Sequence, residues 1–105
     1  MRSYTGNCHI DFARLRADLH PHLERIVRDL LPGGHLEGRE WVALNPTRPD
    51  RNKGSFRINV KTGPWADFAT GDKGGDVISL YAYLNACSQT EAAKDLMKLI
   101  GGDAR

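Results

Sequence analysis

Cysteine is scarce in this sequence. Cys8 and Cys87 are the only two and stand near opposite ends, too few and too far apart for a disulfide framework or, by themselves, a thiolate metal cage. Long apolar runs are missing as well. None approaches the roughly 20 residues that a membrane-spanning helix needs, and the opening MRSYTGNCHIDF lacks the apolar run of roughly 7 to 15 residues that marks a secretory signal. A cytoplasmic protein with no membrane partner is expected. Nor is there an excess of one charge: with 15 basic residues against 13 acidic ones the net charge is +2, and so small a balance does not by itself single out nucleic acid as a partner. A phosphate-cradling GxxxxGK[ST] loop, an internal repeat and a low-complexity tract are all absent.

What remains fits one domain, because 105 residues match the size of about 100 to 150 residues that a single core commonly serves. Residues 1–10 read as a flexible segment, 11–102 as a single module with an N-terminal helical extension, and 103–105 as a tail. Within 11–31, Phe12, Leu15, Leu19, Leu23, Ile26, Val27 and Leu30 recur at helical steps of three and four. Asp11 is placed to cap the first turn, and Pro21, which lacks an amide hydrogen, splits or kinks the segment. Near the other end, Asp76 is placed to cap a helix carrying Val77, Ile78, Leu80, Tyr81 and Leu84. Ser88 and Glu91 stand three apart like a capping box that opens another.

Between the helices lie strand signals. Arg39–Asn45 carries Trp41 and Val42, and Ser55–Val60 alternates Phe56, Ile58 and Val60 with Arg57 and Asn59. After the turn Lys61–Gly63 comes Trp65–Phe68. An α+β fold follows, with a small three-stranded antiparallel sheet covered by amphipathic helices. Trp41, Phe56, Ile58, Trp65 and Phe68 are the expected sheet side of the core; Leu23, Ile26, Leu80, Leu84, Leu96 and Ile100 are the helix side.

The charge distribution says more than its sum. Arg48, Arg51, Lys53, Arg57 and Lys61 cluster against Asp50 alone, and the alternation puts Arg57 and Asn59 on the face opposite Phe56 and Ile58. Such a face can set cations on phosphates, while Asn59 meets a base edge or sugar, Trp65, if exposed, stacks on a base, and Lys73 adds a contact from the glycine turn. Arg39 is a weaker member. The plain alternative is that these charges simply solvate one side of the sheet. A protein-interaction or homo-oligomer role using Leu30, Leu31, Met97 and Leu99 on the terminal helices is the second expectation.

Three carboxylates, Asp67, Asp72 and Asp76, share one glycine-rich loop and suggest a hard cation such as magnesium, yet none has an evident acid/base partner. Cys8 beside His9 does not make a nucleophile and base, and His9, His20, His22 and His35 lack metal-ligand spacing.

The stretches WADFATGDKGGDVISL at 65–80 and DRNKGSFRINV at 50–60 resemble the zinc-binding domain of bacterial and phage-type DNA primases, especially the shorter primase-like proteins carried by mobile elements and bacteria. The resemblance covers roughly 39–100. It implies a zinc-ribbon-like sheet and a role in binding single-stranded template DNA, alongside primase or other replication proteins. The positions that match the zinc ligands hold Asn45, Arg48, Asp67 and Thr70, and a structural zinc site needs four Cys or His groups. A metal-free, non-catalytic accessory module that binds single-stranded or duplex DNA is therefore expected, with no cofactor. Asp67, Thr70, Gly71, Gly74, Gly75 and Asp76 would then hold the turn by hydrogen bonds and backbone geometry.

Overall fold

The computed structural model describes residues 10–49 and 54–100. Helix α1 (Phe12–Leu19) starts where the Asp11 carboxylate accepts the Arg14 amide at 3.0 Å. Pro21 cannot continue the amide ladder, and a 3-10 turn at His20–His22 joins α1 to α2 (Leu23–Leu30). Leu15, Leu19, Leu23, Ile26 and Val27 line the buried side of this bent pair. Its far end is stitched to the sheet by Trp41, whose indole N–H donates to the Leu31 carbonyl at 2.9 Å and whose ring lies 4.9 Å from the Arg28 guanidinium. Leu31, expected on a terminal surface, is accordingly buried.

The sheet is an open antiparallel meander of five strands in sequential order: β1 (His35–Glu37), β2 (Glu40–Ala43), β3 (Phe56–Asn59), β4 (Trp65–Asp67) and β5 (Lys73–Gly74). The three-stranded, zinc-ribbon-like platform is thereby corrected. The central strands stand where their alternation placed them, and the two edges are additions too short to show any period. Strand β1 returns to β2 through Gly38 and Arg39, with Gly38 at φ 63°. This hairpin sets Glu37 directly opposite Glu40, a repulsive pairing that Arg57 on β3 relieves by bridging both. Strand β5 forms when the glycine turn folds back, pairing Lys73 with Ala66 and Gly74 with Trp65.

Helices α3 (Val77–Asn85) and α4 (Gln89–Leu99) cover one face. Each opens with a reciprocal box: the Ser79 amide bonds Asp76 Oδ1 at 2.8 Å, and the Glu91 amide bonds Ser88 Oγ at 3.0 Å. Their Ile78, Leu80, Ala92, Ala93 and Leu96 close over Trp41, Phe56, Ile58 and Trp65. Leu84 and Ile100 are half-buried, and Phe68 departs from the expected core altogether, at 71 % exposed. The alternation explains it: Asp67, not Phe68, shares the inward face with Trp65. No helix among the described residues is long and apolar enough to cross a membrane.

Candidate nucleic-acid interface

Register fixes which side chains share the outer face. One row runs His35, Val42, Arg57, Ala66, Lys73. Val42 is fully buried yet stands apart from the core cluster, as expected for an apolar residue flanked by long polar neighbours on the opposite face. Beyond the adjacent row Ala43, Phe56, Asp67, the Phe68 amide bonds the Ser55 carbonyl at 2.7 Å. Continuing the alternation puts Phe68 on the side of Ala66, with Leu44 also exposed at that end.

Several residues expected to contact nucleic acid are otherwise engaged. Arg57 Nη1 lies 3.0 Å from Glu40 and 3.3 Å from Glu37, while its Nε donates to the Gly54 carbonyl at 2.8 Å. The Glu40 hydrogen bond holds this guanidinium above its ordinary pKa. His35, 2.7 Å from Glu37, is the main cause of the lowered Glu37 carboxyl, with Arg57 adding to it. Asn59 closes a turn by accepting the Lys61 and Thr62 amides at 2.9 and 3.0 Å. Trp65 is 5 % exposed, donates its indole N–H to Ser79 Oγ at 2.9 Å, and meets Phe56 edge-on. It has no face to offer a base. Lys61 and Lys73 are exposed, as is Arg39; Arg51 and Lys53, like Cys8, His9 and the 103–105 tail, lie outside the described residues.

At the end of the sheet where Phe68 stands, a polar clasp is built on Asp67. This carboxylate is fully buried. It accepts from Arg48 Nε at 2.9 Å and Nη2 at 3.2 Å, from Asn45 Nδ2 at 2.8 Å, and from the Ala69 amide at 2.9 Å. The Arg48 hydrogen bonds, ahead of those from Asn45 and Ala69, hold its pKa far below the carboxylate range despite burial. The Asp67 carbonyl receives the amides of Thr70 at 3.2 Å and Gly71 at 2.8 Å, and Gly71 takes a φ of 87° that a side chain would oppose. Thr70 Oγ1 accepts the Asp72 amide at 3.2 Å. Asn45, Arg48 and Asp67, three of the four positions set against metal ligands, thus meet as an amide and an ion pair.

Comparison with protein-family models, curated proteins and solved structures finds no match to this chain. The zinc-ribbon and primase designation suggested by residues 50–80 is corrected by two findings: the sheet has five strands, and among the described residues no group of three or more His, Cys, Asp or Glu is arranged to hold a metal ion. The three loop carboxylates do not converge on a cation either. Asp67 faces Arg48, Asp72 accepts the Tyr83 hydroxyl at 2.8 Å, and Asp76 caps α3 and lies 3.4 Å from Arg16.

Sequence reasoning missed Phe68 as the exposed aromatic, and it missed Tyr83. The Tyr83 hydroxyl accepts from Asn45 Nδ2 at 2.8 Å and Thr47 Oγ1 at 3.1 Å. The Asn-Pro-Thr step at 45–47 carried a usable signal, since Asn side chains commonly accept the amide two residues on; Thr47 N bonds Asn45 Oδ1 at 2.9 Å. Nothing local to α3 announces Tyr83, whose partners come from two distant loops.

Proposed function

We propose that this chain is a non-catalytic nucleic-acid-binding module that presents the outer face of its sheet to single-stranded DNA, with Phe68 as the stacking side chain. The observation that carries the reading is the exposure of Phe68, 71 %, on a turn whose backbone and carboxylates are tightly engaged. A ring held in water gains by being covered, and a nucleobase covers it with a flat apolar surface worth about 1–3 kcal/mol. Lys73 is the cross-strand partner of Ala66, two residues before Phe68, within reach of a strand stacked there. Lys61 is exposed beyond the other end of β3, and Arg51 and Lys53 add basic residues in sequence between Arg48 and Arg57. Arg48 and Arg57 face carboxylates, so few cations remain for phosphate, and the interaction is weak. The setting we infer is the cytoplasm, beside proteins that act on the same strand.

Fluorescence anisotropy of labelled single-stranded and duplex DNA at several salt concentrations tests this. Single strands are expected to bind at low salt and to weaken with a log–log slope of about −0.7 per phosphate neutralised. Failure to bind at low salt, or binding indifferent to salt, refutes it.

One observation favours a second reading. Leu44, 41 % exposed, and Phe68 end neighbouring parts of the same face, and two apolar side chains together suit a protein partner's hydrophobic residue. Light scattering over a concentration series separates self-association from a monomer. The helix surfaces first considered offer less, since Leu31 is buried and Leu30 and Met97 are half-buried, which leaves Leu99.

A further inference from the structure

We infer that Arg48 and Tyr83 are positioning residues for binding at Phe68, with Arg48 acting on Asp67 rather than on phosphate. This rests on the nucleic-acid reading above and concerns what holds that surface in shape. Phe68 follows Asp67 directly, and Asp67 governs the turn that follows Phe68: the side chain accepts the Ala69 amide, and the carbonyl accepts the Thr70 and Gly71 amides. The Phe68 amide is tied to the Ser55 carbonyl. Arg48 grips both anchors at once, Asp67 through two nitrogens and Ser55 Oγ at 3.2 Å.

Tyr83 closes the clasp from the other side. Its ring packs 4.7 Å from that of Trp65, on the helix-covered face. Its hydroxyl accepts from Asn45 and Thr47 of the β2–β3 loop and donates to Asp72 of the glycine turn. The Asp72 carbonyl in turn accepts the Asp67 amide at 2.8 Å. The Tyr83 ring sits on the face opposite the one a strand would lie on, so the effect of removing its hydroxyl on binding is expected to pass through the clasp.

Two conservative variants decide the matter, each read by single-strand anisotropy over a salt series and by amide hydrogen exchange without DNA, at temperatures where both remain folded. Tyr83→Phe keeps the ring and removes the hydroxyl. Arg48→Lys keeps the charge and removes the two-pronged grip that only a guanidinium provides. Both are expected to weaken binding by about fivefold, as for the loss of one or two net hydrogen bonds, with the salt slope unchanged and with faster exchange at Phe68 and Ala69. Wild-type affinity in Arg48→Lys would show that charge alone matters and overturn the inference, as would wild-type affinity in Tyr83→Phe. Should the wild-type protein bind no DNA, the functional reading fails, and exchange still decides the clasp: unchanged protection of Phe68 and Ala69 in both variants refutes it.

Discussion

The indole of Trp65 lies against Gly74, where a β-carbon would collide with Nε1 and Cε2 of the indole and with Ser79 Oγ. Glycine is therefore required at position 74 by the approach of a neighbour rather than by turn geometry. Gly34 has the same relationship to Trp41. In Gly74→Ala the indole must shift and its bond to Ser79 breaks, so a loss of about 1–3 kcal/mol is expected, as for an overpacked core. Urea unfolding followed by tryptophan emission measures it. Gly75→Ala is the control: nothing lies within 4 Å of a β-carbon there, and its effect should stay within about 0.5 kcal/mol.

Removing the centre of the clasp should be costlier. Asp67→Ala leaves Asn45 buried without its carboxylate partner and strips Arg48 of its counter-ion. The cost is about 3 kcal/mol, the low end for a broken buried pair, because the Arg48 side chain remains 26 % exposed and regains water. Asp67→Asn, which keeps the shape, should lose less. Thermal unfolding of the two variants and wild type ranks them, and equal stability of wild type and Asp67→Ala would contradict the clasp as a source of folding energy.

Much of the architecture was legible because it rests on periodicity and caps. Phe56, Ile58 and Val60 alternate, and Asp11, Asp76 and Ser88 each mark a helix start that the chain adopts. What escaped depends on partners remote in sequence. A three-residue edge such as His35–Glu37 has no room for a pattern, and Lys73–Gly74 becomes a strand only because Trp65–Ala66 lies beside it. In the site, residue type suggested roles that contacts redirected. Arg57 is cationic and on the polar face, but Glu37 was not visible as its neighbour until β1 was, nor Glu40 until the register of β2 on β3 was. Trp65 stayed in the core, whereas Phe68 moved from the expected core to the surface, because a buried carboxylate at Asp67 is not expected unless its arginine is known.

The same carboxylate makes stability depend on pH with a definite sign. The folded pKa of Asp67 is depressed below its unfolded value, so its contribution is complete above the unfolded pKa, near 4. It is lost as acid protonates the unfolded chain first and then the folded one. Wild type should therefore lose stability steeply from about pH 5 down toward pH 2, and Asp67→Asn should show a shallower fall across that window. Glu37, lowered as well but exposed, leaves a residual slope in the variant. Denaturant titrations at a series of pH values give both curves; parallel curves would mean that Asp67 titrates normally in the folded protein.

Phe68 offers the sharpest separation between folding and binding. Because its ring is outside the core, Phe68→Ala should leave the unfolding midpoint nearly unchanged, within about 0.5 kcal/mol. If a base stacks on it, single-strand affinity should fall by about 1–3 kcal/mol, and Phe68→Trp should restore or exceed it. The salt slope should stay constant throughout, since no phosphate contact changes. Leu44→Ala distinguishes the rival partner. A stacked base has little use for an aliphatic side chain, whereas a protein surface seated on both residues would lose from either truncation. A Leu44→Ala variant that binds single strands as tightly as wild type, beside a Phe68→Ala variant that does not, assigns the face to nucleic acid; no loss in Phe68→Ala removes the ring from the interface.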